Sequence, residues 1–246
     1  MTGFYLTLPT GRKALMILTW RMTAMKSETE KTRRRFDRIA WMYEAMESPM
    51  EMISAASWRR ELLAAVHGRV LEVGIGTGKN LPYYPRGVDL TGIDISPRML
   101  ARAERRAAAL GIPCRLSVMD AERMTFPDAT FDAAVATFVF CSVPDPIAGL
   151  KEVRRVLKPG GEAFFLEHVR SPNPLLGKLM DLFNPLVHAA IGPNINRRTV
   201  ENIAVAGFEI VSMEEKGMKI LKKIVARPRA EQCNADIPPT GPPARL

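Results

Sequence analysis

The sequence predicts an α/β fold built on a doubly wound, mostly parallel sheet with helices on both faces. Two observations predict it. Short apolar runs alternate with helix-like segments through the middle of the chain, and this alternation is typical of parallel sheets. Glycine or polar residues follow several of the runs, at Gly74–Gly78, Asp94, Asp120 and Thr137–Ser142. Because ligands of such sheets bind beyond the carboxyl ends of the strands, these positions are expected to converge on one binding site.

Glycine and proline residues mark the boundaries of several predicted elements. Pro97 in a first turn and Gly111 behind a last turn are typical helix boundaries, and Gly160–Gly161 indicates a turn before the fifth strand. An antiparallel pair at 208–213 and 217–226 is expected to complete a seven-stranded, Rossmann-like sheet. The other strands are expected at 69–74, 88–94, 113–118, 131–137 and 162–168, and helices at 28–43, at 50–67, from about 79, at 97–110, at 146–157 and at 197–206.

Residues 171–195 interrupt the alternation. Their apolar residues predict a helix with a broad apolar face that is interrupted at Pro185. This helix could pack on the sheet as part of the core, or it could cover a ligand pocket at the carboxyl end of the fifth strand. The two alternatives are compatible. Asn196 is expected to cap the helix that follows.

Length and composition favour one domain with two extensions. The chain has 246 residues and 47% hydrophobic content, enough to bury one sizeable core. We expect that domain at 31–227, a basic and apolar extension at 1–30, and a disordered, proline-rich tail at 228–246. The three cysteines have neither zinc-site spacing nor the even number of a disulfide framework. A reducing, cytoplasmic setting without a bound metal is therefore expected.

The net charge of +9 is concentrated near the N-terminus, where residues 1–40 contain nine Lys or Arg and three Asp or Glu. A solvated basic helix face is one explanation. Another is peripheral contact of residues 12–38 with an anionic membrane surface, where each basic residue contributes about 1 kcal/mol. Nucleic acid is not expected as a partner, because no aromatic residues interleave with Arg33–Arg35. The apolar run Ala14–Trp20 stops at Arg21, too early for a membrane-spanning helix.

The loop after the first predicted strand restricts which class of nucleotide could bind there. Residues 72–80 read E-V-G-I-G-T-G-K-N. The lysine stands where a dinucleotide fingerprint requires glycine or alanine, and the P-loop pattern fails at its first glycine and at its final hydroxyl residue. Gly74, Gly76 and Gly78 let the backbone approach a ligand. Glu72 would repel a pyrophosphate but suits a cation, so S-adenosylmethionine, with its ammonium and sulfonium groups, fits the charge of this loop.

Together these motifs resemble the class I S-adenosylmethionine-dependent methyltransferases. The resemblance comprises the glycine loop, Asp94, Met119–Glu122, Phe131–Val143, Leu157–Gly161 and Glu162–His168. Two branches are most similar. Phe36–Tyr43 resembles the first helix of quinone-biosynthesis C-methyltransferases and of related bacterial phospholipid N-methyltransferases. The microsomal thiol methyltransferases are similar at Phe140–Val143, Glu167–Val169 and Asn184–His188. Those enzymes carry aspartate at the position of Asn184.

The resemblance implies how the methyl donor is held. Glu72 is expected at the methionine end of the donor, with the three glycines beside it, and Asp94 is expected on both ribose hydroxyls. Asp120 would meet the adenine amine. As alternatives, Glu72 could be a structural acceptor for backbone amides and Asp120 a turn residue. Further donor contacts are expected at Ile95, Ala121 and Thr137.

The acceptor side is less determined by the sequence. Phe138, Cys141 and Phe183 are expected to line the acceptor pocket. Cys141 is expected there as a small apolar side chain and not as a nucleophile. His168 and His188 are the candidate general bases, because histidine titrates near neutrality, although a lone histidine is more often structural. A thiol acceptor would need a base less, since its pKa is about 8.5.

These observations predict methyl transfer from S-adenosylmethionine to a small hydrophobic or thiol-type acceptor by in-line displacement. An alternative is methylation of phospholipid head groups, such as phosphatidylethanolamine, or of quinone precursors at a membrane surface. A third hypothesis is a non-catalytic binding module that kept the fold. The complete donor motif argues against it.

Overall fold

The computed structural model describes residues 28–38, 40 and 49–229, without the side chains of 49–55 and 191. Residues 1–27 of the predicted extension at 1–30 and residues 230–246 of the predicted tail at 228–246 lie outside the described residues. The helices are α1 (28–38), α2 (Pro49–Leu63), α3 (Pro97–Leu110), α4 (Pro146–Val156), α5 (Pro174–Ile191) and α6 (Thr199–Val205). The strands are β1 (Arg69–Val73), β2 (Asp89–Asp94), β3 (Cys114–Val118), β4 (Phe131–Thr137), β5 (Leu157–His168), β6 (Phe208–Lys216) and β7 (Leu221–Pro228).

In the described chain, seven strands form one sheet in the order β3-β2-β1-β4-β5-β7-β6. The first five strands run parallel, β7 runs antiparallel to β5, and β6 pairs antiparallel with β7. The predicted fold class is therefore confirmed, including the antiparallel last pair. The strand order reverses between β1 and β4. Such a switch point opens a crevice at the carboxyl ends of the strands, where ligands of doubly wound sheets bind.

The sheet buries apolar side chains on both faces, because successive strand residues point to opposite sides. Val70 packs in one cluster with Trp58 and Leu63 of α2, whereas its neighbour Leu71 packs in another cluster with Phe131. All five side chains are almost fully buried. The central strands β1 and β4 are thereby held between two cores, and the loops at their carboxyl ends stand on a rigid base.

The predicted helix from about residue 79 is wrong. That segment forms a single 3-10 turn, Leu81–Tyr83, and Tyr84 is already extended. Pro85 comes next, and a proline disfavours the helical region for the residue before it. The glycine loop is therefore followed by an irregular segment, which side-chain contacts hold in place.

Three other local predictions differ from the structure. Gly160–Gly161 does not precede β5 as a turn but belongs to it, beside a register shift against β4. The helix α5 is not interrupted at Pro185; Pro185 and Asp181 are exposed, so the carbonyl that loses its hydrogen bond can be hydrated. Asn196 does not cap α6, because that helix begins only at Thr199. The side-chain amide of Asn196 donates to Asp181 instead.

Candidate active site

A cavity lies at the switch point, beyond the carboxyl ends of the central strands, and α1 closes one side of it. The cavity encloses about 710 Å³, including space open to solvent. Many of the predicted donor and acceptor residues line it: Gly74, Gly76, Asp94, Ile95, Asp120, Ala121, Thr137 and Phe138. The strand ends thus bring these residues together, as their positions in the sequence predict.

Three predicted residues are buried and do not line the cavity, namely Glu72, Gly78 and Cys141. The Sγ atom of Cys141 lies 3.6 Å from the carbonyl oxygen of Phe138. Burial raises the pKa of the Cys141 thiol to about 12. Because only a thiolate is a good nucleophile, the structure gives Cys141 a packing role behind the cavity.

The two candidate bases and Phe183 lie outside the cavity lining. Phe183 is exposed on α5, and His168 is the half-buried last residue of β5. The Nε2 atom of His188 is 3.3 Å from Nη1 of Arg35 on α1. A guanidinium group can only donate, so this nitrogen accepts and its lone pair is engaged. A catalytic role for either histidine stays a prediction.

Asp94, the last residue of β2, presents a carboxylate of fixed orientation. Its Oδ1 accepts the backbone N–H of Ser96 at 2.8 Å, and its Oδ2 accepts that of Gly76 at 2.9 Å. Burial raises the pKa of Asp94 to about 6, and the two backbone hydrogen bonds oppose this shift. Each carboxylate oxygen has a second lone pair. The ionised group can therefore accept two more hydroxyl groups from a ligand.

The three loop glycines have different surroundings, although all three have a positive φ, between 57° and 80°. A Cβ on Gly76 would have the carbonyl oxygen of Gly74, 4.0 Å away, as its nearest neighbour. A Cβ on Gly78 would lie 2.6 Å from Cδ1 of Leu81 and 3.3 Å from Cα of Ala103. Gly76 therefore leaves open space beside the cavity, whereas Gly78 lets the loop pack against α3.

Gly76→Ala and Gly78→Ala should consequently fail in different ways. Both alanines are strained by about 1 kcal/mol or more, because φ is positive. Gly76→Ala is expected to fold but to bind S-adenosylmethionine at least about tenfold more weakly, because the methyl group occupies cavity space. Gly78→Ala is expected to lose a further 1–3 kcal/mol, roughly, through overpacking. Thermal unfolding and calorimetric titration measure the two effects. Donor affinity equal to wild type in Gly76→Ala would contradict this assignment.

Glu72 is held beneath the glycine loop by a buried network. Its Oε1 accepts from Nδ2 of Asn80 at 2.8 Å, and its Oε2 accepts from the hydroxyl of Tyr84 at 2.9 Å. Burial raises the pKa of Glu72 to about 7, while the two hydrogen bonds and the charge of Arg59 oppose the shift. Both oxygens are engaged inside the protein. The structure therefore gives Glu72 a role in shaping the loop, although its hydrogen-bond donors are the side chains of Asn80 and Tyr84 and not the backbone amides of the structural alternative. Its contact with the methyl donor stays a prediction.

Arg59 on α2 joins this network to the far wall of the cavity. Its Nη1 donates to Oδ1 of Asn80 at 2.7 Å and to Oγ1 of Thr137 at 2.8 Å. Its guanidinium carbon lies 5.2 Å from the ring centroid of Phe138, within cation–π range. Thr137 and Phe138 line the cavity, so Arg59 connects the two sides of the site. Arg59 is not predictable from the sequence as part of the site, because no local motif marks it.

The polar groups of this site fit a cationic adenosine compound. Asp94 can accept from a ribose, and Asp120, whose Oδ1 accepts the N–H of Glu122 at 2.9 Å, has its other oxygen for an amine. Thr77 stands inside the glycine motif, but its hydroxyl is buried without a hydrogen-bond partner among the described residues and does not line the cavity. Ile95 provides an apolar surface between the two acids.

Helix α1 is tied to the exit of β2 and forms part of the cavity. Thr32 and Phe36 line the cavity. Oγ of Ser96 donates to Asp37 at 2.6 Å. The backbone N–H of the same serine donates to Asp94 and orients its carboxylate. Arg33 also donates to Asp37, at 3.1 Å. Part of the basic character predicted to contact a membrane is therefore neutralised within α1.

The chain matches a known enzyme family. The Methyltransferase domain family matches residues 71–165. The chain is 33% identical over 186 residues to the human thiol S-methyltransferase TMT1B, covering 70% of this chain and 76% of that protein. It is 35% identical over 164 residues to the demethylmenaquinone methyltransferase of Deinococcus radiodurans, covering 64% and 68% of the two chains. The chain belongs to the S-adenosylmethionine-dependent methyltransferases.

Within that family, the similarity extends to enzymes with different names. The chain is 46% identical over 123 residues to the phosphatidylethanolamine N-methyltransferase of Cereibacter sphaeroides, but this match covers 48% of the chain and 61% of that protein. A methyltransferase structure from Methanosarcina mazei is 27% identical, with a TM-score of 0.55, over 65% of this chain and 92% of that one. The [4+2]-cyclase SpnF, 22% identical with a TM-score of 0.60 over 72% and 81%, shares the fold.

Proposed function

We propose that this protein transfers the methyl group of S-adenosylmethionine to a small hydrophobic or thiol-type acceptor. The observation that supports this acceptor class is the chemistry of the cavity lining. Among the described residues, its titratable groups are Asp94 and Asp120, and both are proposed donor ligands. An acceptor that needs a strong base is therefore disfavoured. A thiol, with a pKa of about 8.5, ionises sufficiently near neutral pH without one.

The residues of the chain would hold and orient the donor. We assign Asp94 to the ribose hydroxyls, Asp120 to the adenine amine, and Gly76 to the methionine end. The donor supplies a methyl group on a sulfonium: the bond from the acceptor sulfur to carbon forms as the methyl–sulfonium bond breaks, S-adenosylhomocysteine leaves, and the thiol proton passes to solvent. Because the methyl group is already activated, positioning is the main contribution of the protein.

The formation of S-adenosylhomocysteine from different acceptors tests this proposal. A hydrophobic alkyl thiol is expected to be methylated, whereas the matched alcohol is not, because an alcohol holds its proton far more tightly. Phosphatidylethanolamine vesicles and a demethylated quinone precursor are the other acceptors to compare. Turnover of the phospholipid or the quinone without turnover of the thiol would overturn the thiol assignment. Absence of donor binding in calorimetry at millimolar concentrations would favour the non-catalytic module.

A specific observation favours a second candidate, methylation at a membrane surface. Leu182 and Leu186 on α5 are 70% and 69% exposed. The exposed apolar stripe of α5 follows helical spacing and comprises Leu175, Leu179, Leu182, Phe183 and Leu186. Lys178 on the same helix and Lys219 beside its N-terminal end suit an anionic surface. No helix in the described ranges is long and apolar enough to span a bilayer, so this contact would lie at the surface.

Co-sedimentation with liposomes that contain an anionic phospholipid tests the second candidate. Leu182→Glu is expected to reduce binding of the full-length protein several-fold, because a charge enters the stripe. The matched control is Val205→Glu, since Val205 is also exposed but lies at the end of α6. A version without residues 1–30 measures the contribution of the basic extension separately. Equal sedimentation of wild type and Leu182→Glu would remove the support that α5 gives to membrane contact.

A further inference from the structure

The turn that follows β4 forms much of the cavity wall, and its backbone is unusual. Phe138, Val139, Ser142 and Val143 line the cavity. Phe138 has a φ of 59°, a left-handed conformation that bulky residues rarely adopt. Such strain persists only where the surrounding contacts determine the backbone. The contacts of this turn therefore decide where its cavity-lining side chains stand.

Glu167, near the end of β5, supplies contacts to the N–H groups of this turn. Its Oε1 accepts the backbone N–H of Val139 at 3.0 Å and that of Phe140 at 3.1 Å. Glu167 is 0% exposed, and its Oε2 is buried without a hydrogen-bond partner in the described part of the chain. The hydrogen bonds that the structure gives this side chain are all directed at the turn.

The carbonyl groups of the turn are held from the opposite side, by the loop after α5. The carbonyl oxygen of Cys141 accepts from the backbone N–H of Asn194 at 2.8 Å and from its Nδ2 at 3.2 Å. The carbonyl oxygen of Val143 accepts from Nη2 of Arg197 at 2.7 Å. Asn184 donates to the side chain of Asn194 at 3.0 Å. The turn is thus clamped between a carboxyl group beneath its amides and an amide-rich loop along its carbonyls.

We propose that Glu167 is a positioning residue for methyl transfer, which holds the turn at 138–141 so that Phe138 and Val139 keep the acceptor side of the cavity in place. This proposal rests on the proposed function for the chemistry of the cavity, but the clamp itself does not depend on it. Glutamine has nearly the same shape and keeps one acceptor oxygen for the N–H groups of Val139 and Phe140. The role therefore depends on an acceptor atom at this position and not on its charge.

Three variants of the full-length protein test this role. Glu167→Leu removes the hydrogen-bond acceptor for the turn, Glu167→Gln keeps an acceptor oxygen there, and Glu162→Leu is the control. Glu162 lies on the same strand and pairs at the surface with Arg227. Hydrogen exchange of the Val139 and Phe140 amides measures the clamp and needs no methyl acceptor. Calorimetry gives the affinity for S-adenosylmethionine. Steady-state kinetics, with the methyl acceptor that the comparison of acceptors identifies, separate kcat from KM.

Glu167→Leu is expected to lose amide protection at Val139 and Phe140 and to lower kcat about tenfold to 100-fold, since small displacements of a positioned group have effects of this size. Its donor affinity is expected to stay within about threefold of wild type, because the donor ligands lie on other loops. Glu167→Gln and Glu162→Leu are expected to keep protection and most of kcat.

Two results would overturn the positioning role. One is full amide protection and wild-type kcat in Glu167→Leu. The other is a loss of kcat in Glu167→Gln as large as in Glu167→Leu while the amides stay protected, because that would make Glu167 a proton-transfer group. If no variant, including wild type, turns over any acceptor while the exchange pattern is as expected, the proposed acceptor class fails and the clamp stands. If Glu167→Leu does not fold, the wild-type protein still decides the question, because the Val139 and Phe140 amides bonded to Glu167 are expected to be protected from exchange in the folded protein. Exchange of both amides at the rate of unprotected amides would refute the clamp.

Discussion

Replacement of Asp94 by alanine is expected to weaken binding of S-adenosylmethionine about 100-fold or more, because each hydrogen bond to a charged group contributes about 1.5–3 kcal/mol. The carboxylate is oriented by the N–H groups of Gly76 and Ser96, and each oxygen has capacity for one ribose hydroxyl. The substitution also removes the acceptor for the Gly76 amide, so part of the loss comes from the loop. Calorimetric titration gives the affinity, and thermal unfolding shows whether the fold persists. A wild-type affinity in a folded Asp94→Ala protein would show that the ribose contact lies elsewhere.

The raised pKa of Asp94 makes this contact dependent on pH. Burial raises the pKa to about 6, so the carboxylate form prevails above that value and protonation increases below it. Donor affinity is expected to fall as the pH is lowered from 7 to 5, roughly the window around this pKa. Asp94→Asn, which cannot titrate, is expected to bind weakly at both values without this component of the pH dependence. A wild-type affinity that is constant across the window would argue against ribose binding by the ionised Asp94.

The same shift has a consequence for stability, with a definite sign. The folded-state pKa of Asp94 is about 6, whereas an unfolded aspartate has a pKa of about 3.9. The folded protein therefore binds this proton more tightly, and the contribution of Asp94 to the free energy of unfolding falls as the pH rises between these two values. In the ligand-free protein, the unfolding free energy of wild type minus that of Asp94→Asn should therefore fall as the pH rises from about 3.9 to about 6.

Replacement of Arg59 by alanine is expected to cause the largest loss of stability, about 3 kcal/mol or more, because removal of a buried charged partner leaves polar groups unsatisfied. Asn80 Oδ1 and Thr137 Oγ1 would each lose a donor. Glu72, whose pKa the nearby guanidinium lowers against the effect of burial, would become harder to ionise. A melting temperature lower by roughly 6–12 °C follows for a domain of this size. Thermal unfolding at neutral pH measures it.

Arg60→Ala is the matched control for this substitution. Arg60 is the next residue of α2 and is exposed, with its guanidinium carbon 5.8 Å from the ring centroid of Tyr83. Its removal is expected to lower the melting temperature by only about 1–4 °C, because exposed cation–π contacts contribute about 0.5–1 kcal/mol. Arg59→Lys should fall between the two alanine variants, since lysine keeps the charge but not the planar set of donors. Equal melting temperatures of Arg59→Ala and Arg60→Ala would contradict a role for Arg59 in joining the two walls of the site.

The donor side of the site is predictable from short stretches of sequence. Gly74 follows β1 directly, Asp94 is the last residue of β2, and parallel strands bring their carboxyl ends to one edge of the sheet. Asp120 lies two residues beyond the end of β3. Local patterns failed where one residue changes the backbone, as at Pro85, which ends the segment after the glycine loop before a helix can form.

The sequence by itself determined the fold class, the family and the clustering of the residues that we propose as donor ligands, because these depend on strand periodicity and on motifs of a few adjacent residues. Only the tertiary structure decided how that site is held together. Arg59 reaches Thr137 from 78 positions away in the chain, and Glu167 reaches the turn at 138–141 from the neighbouring strand. Such contacts join residues whose separation in sequence carries no pattern, and their hydrogen bonds form because burial makes an unpaired polar group costly.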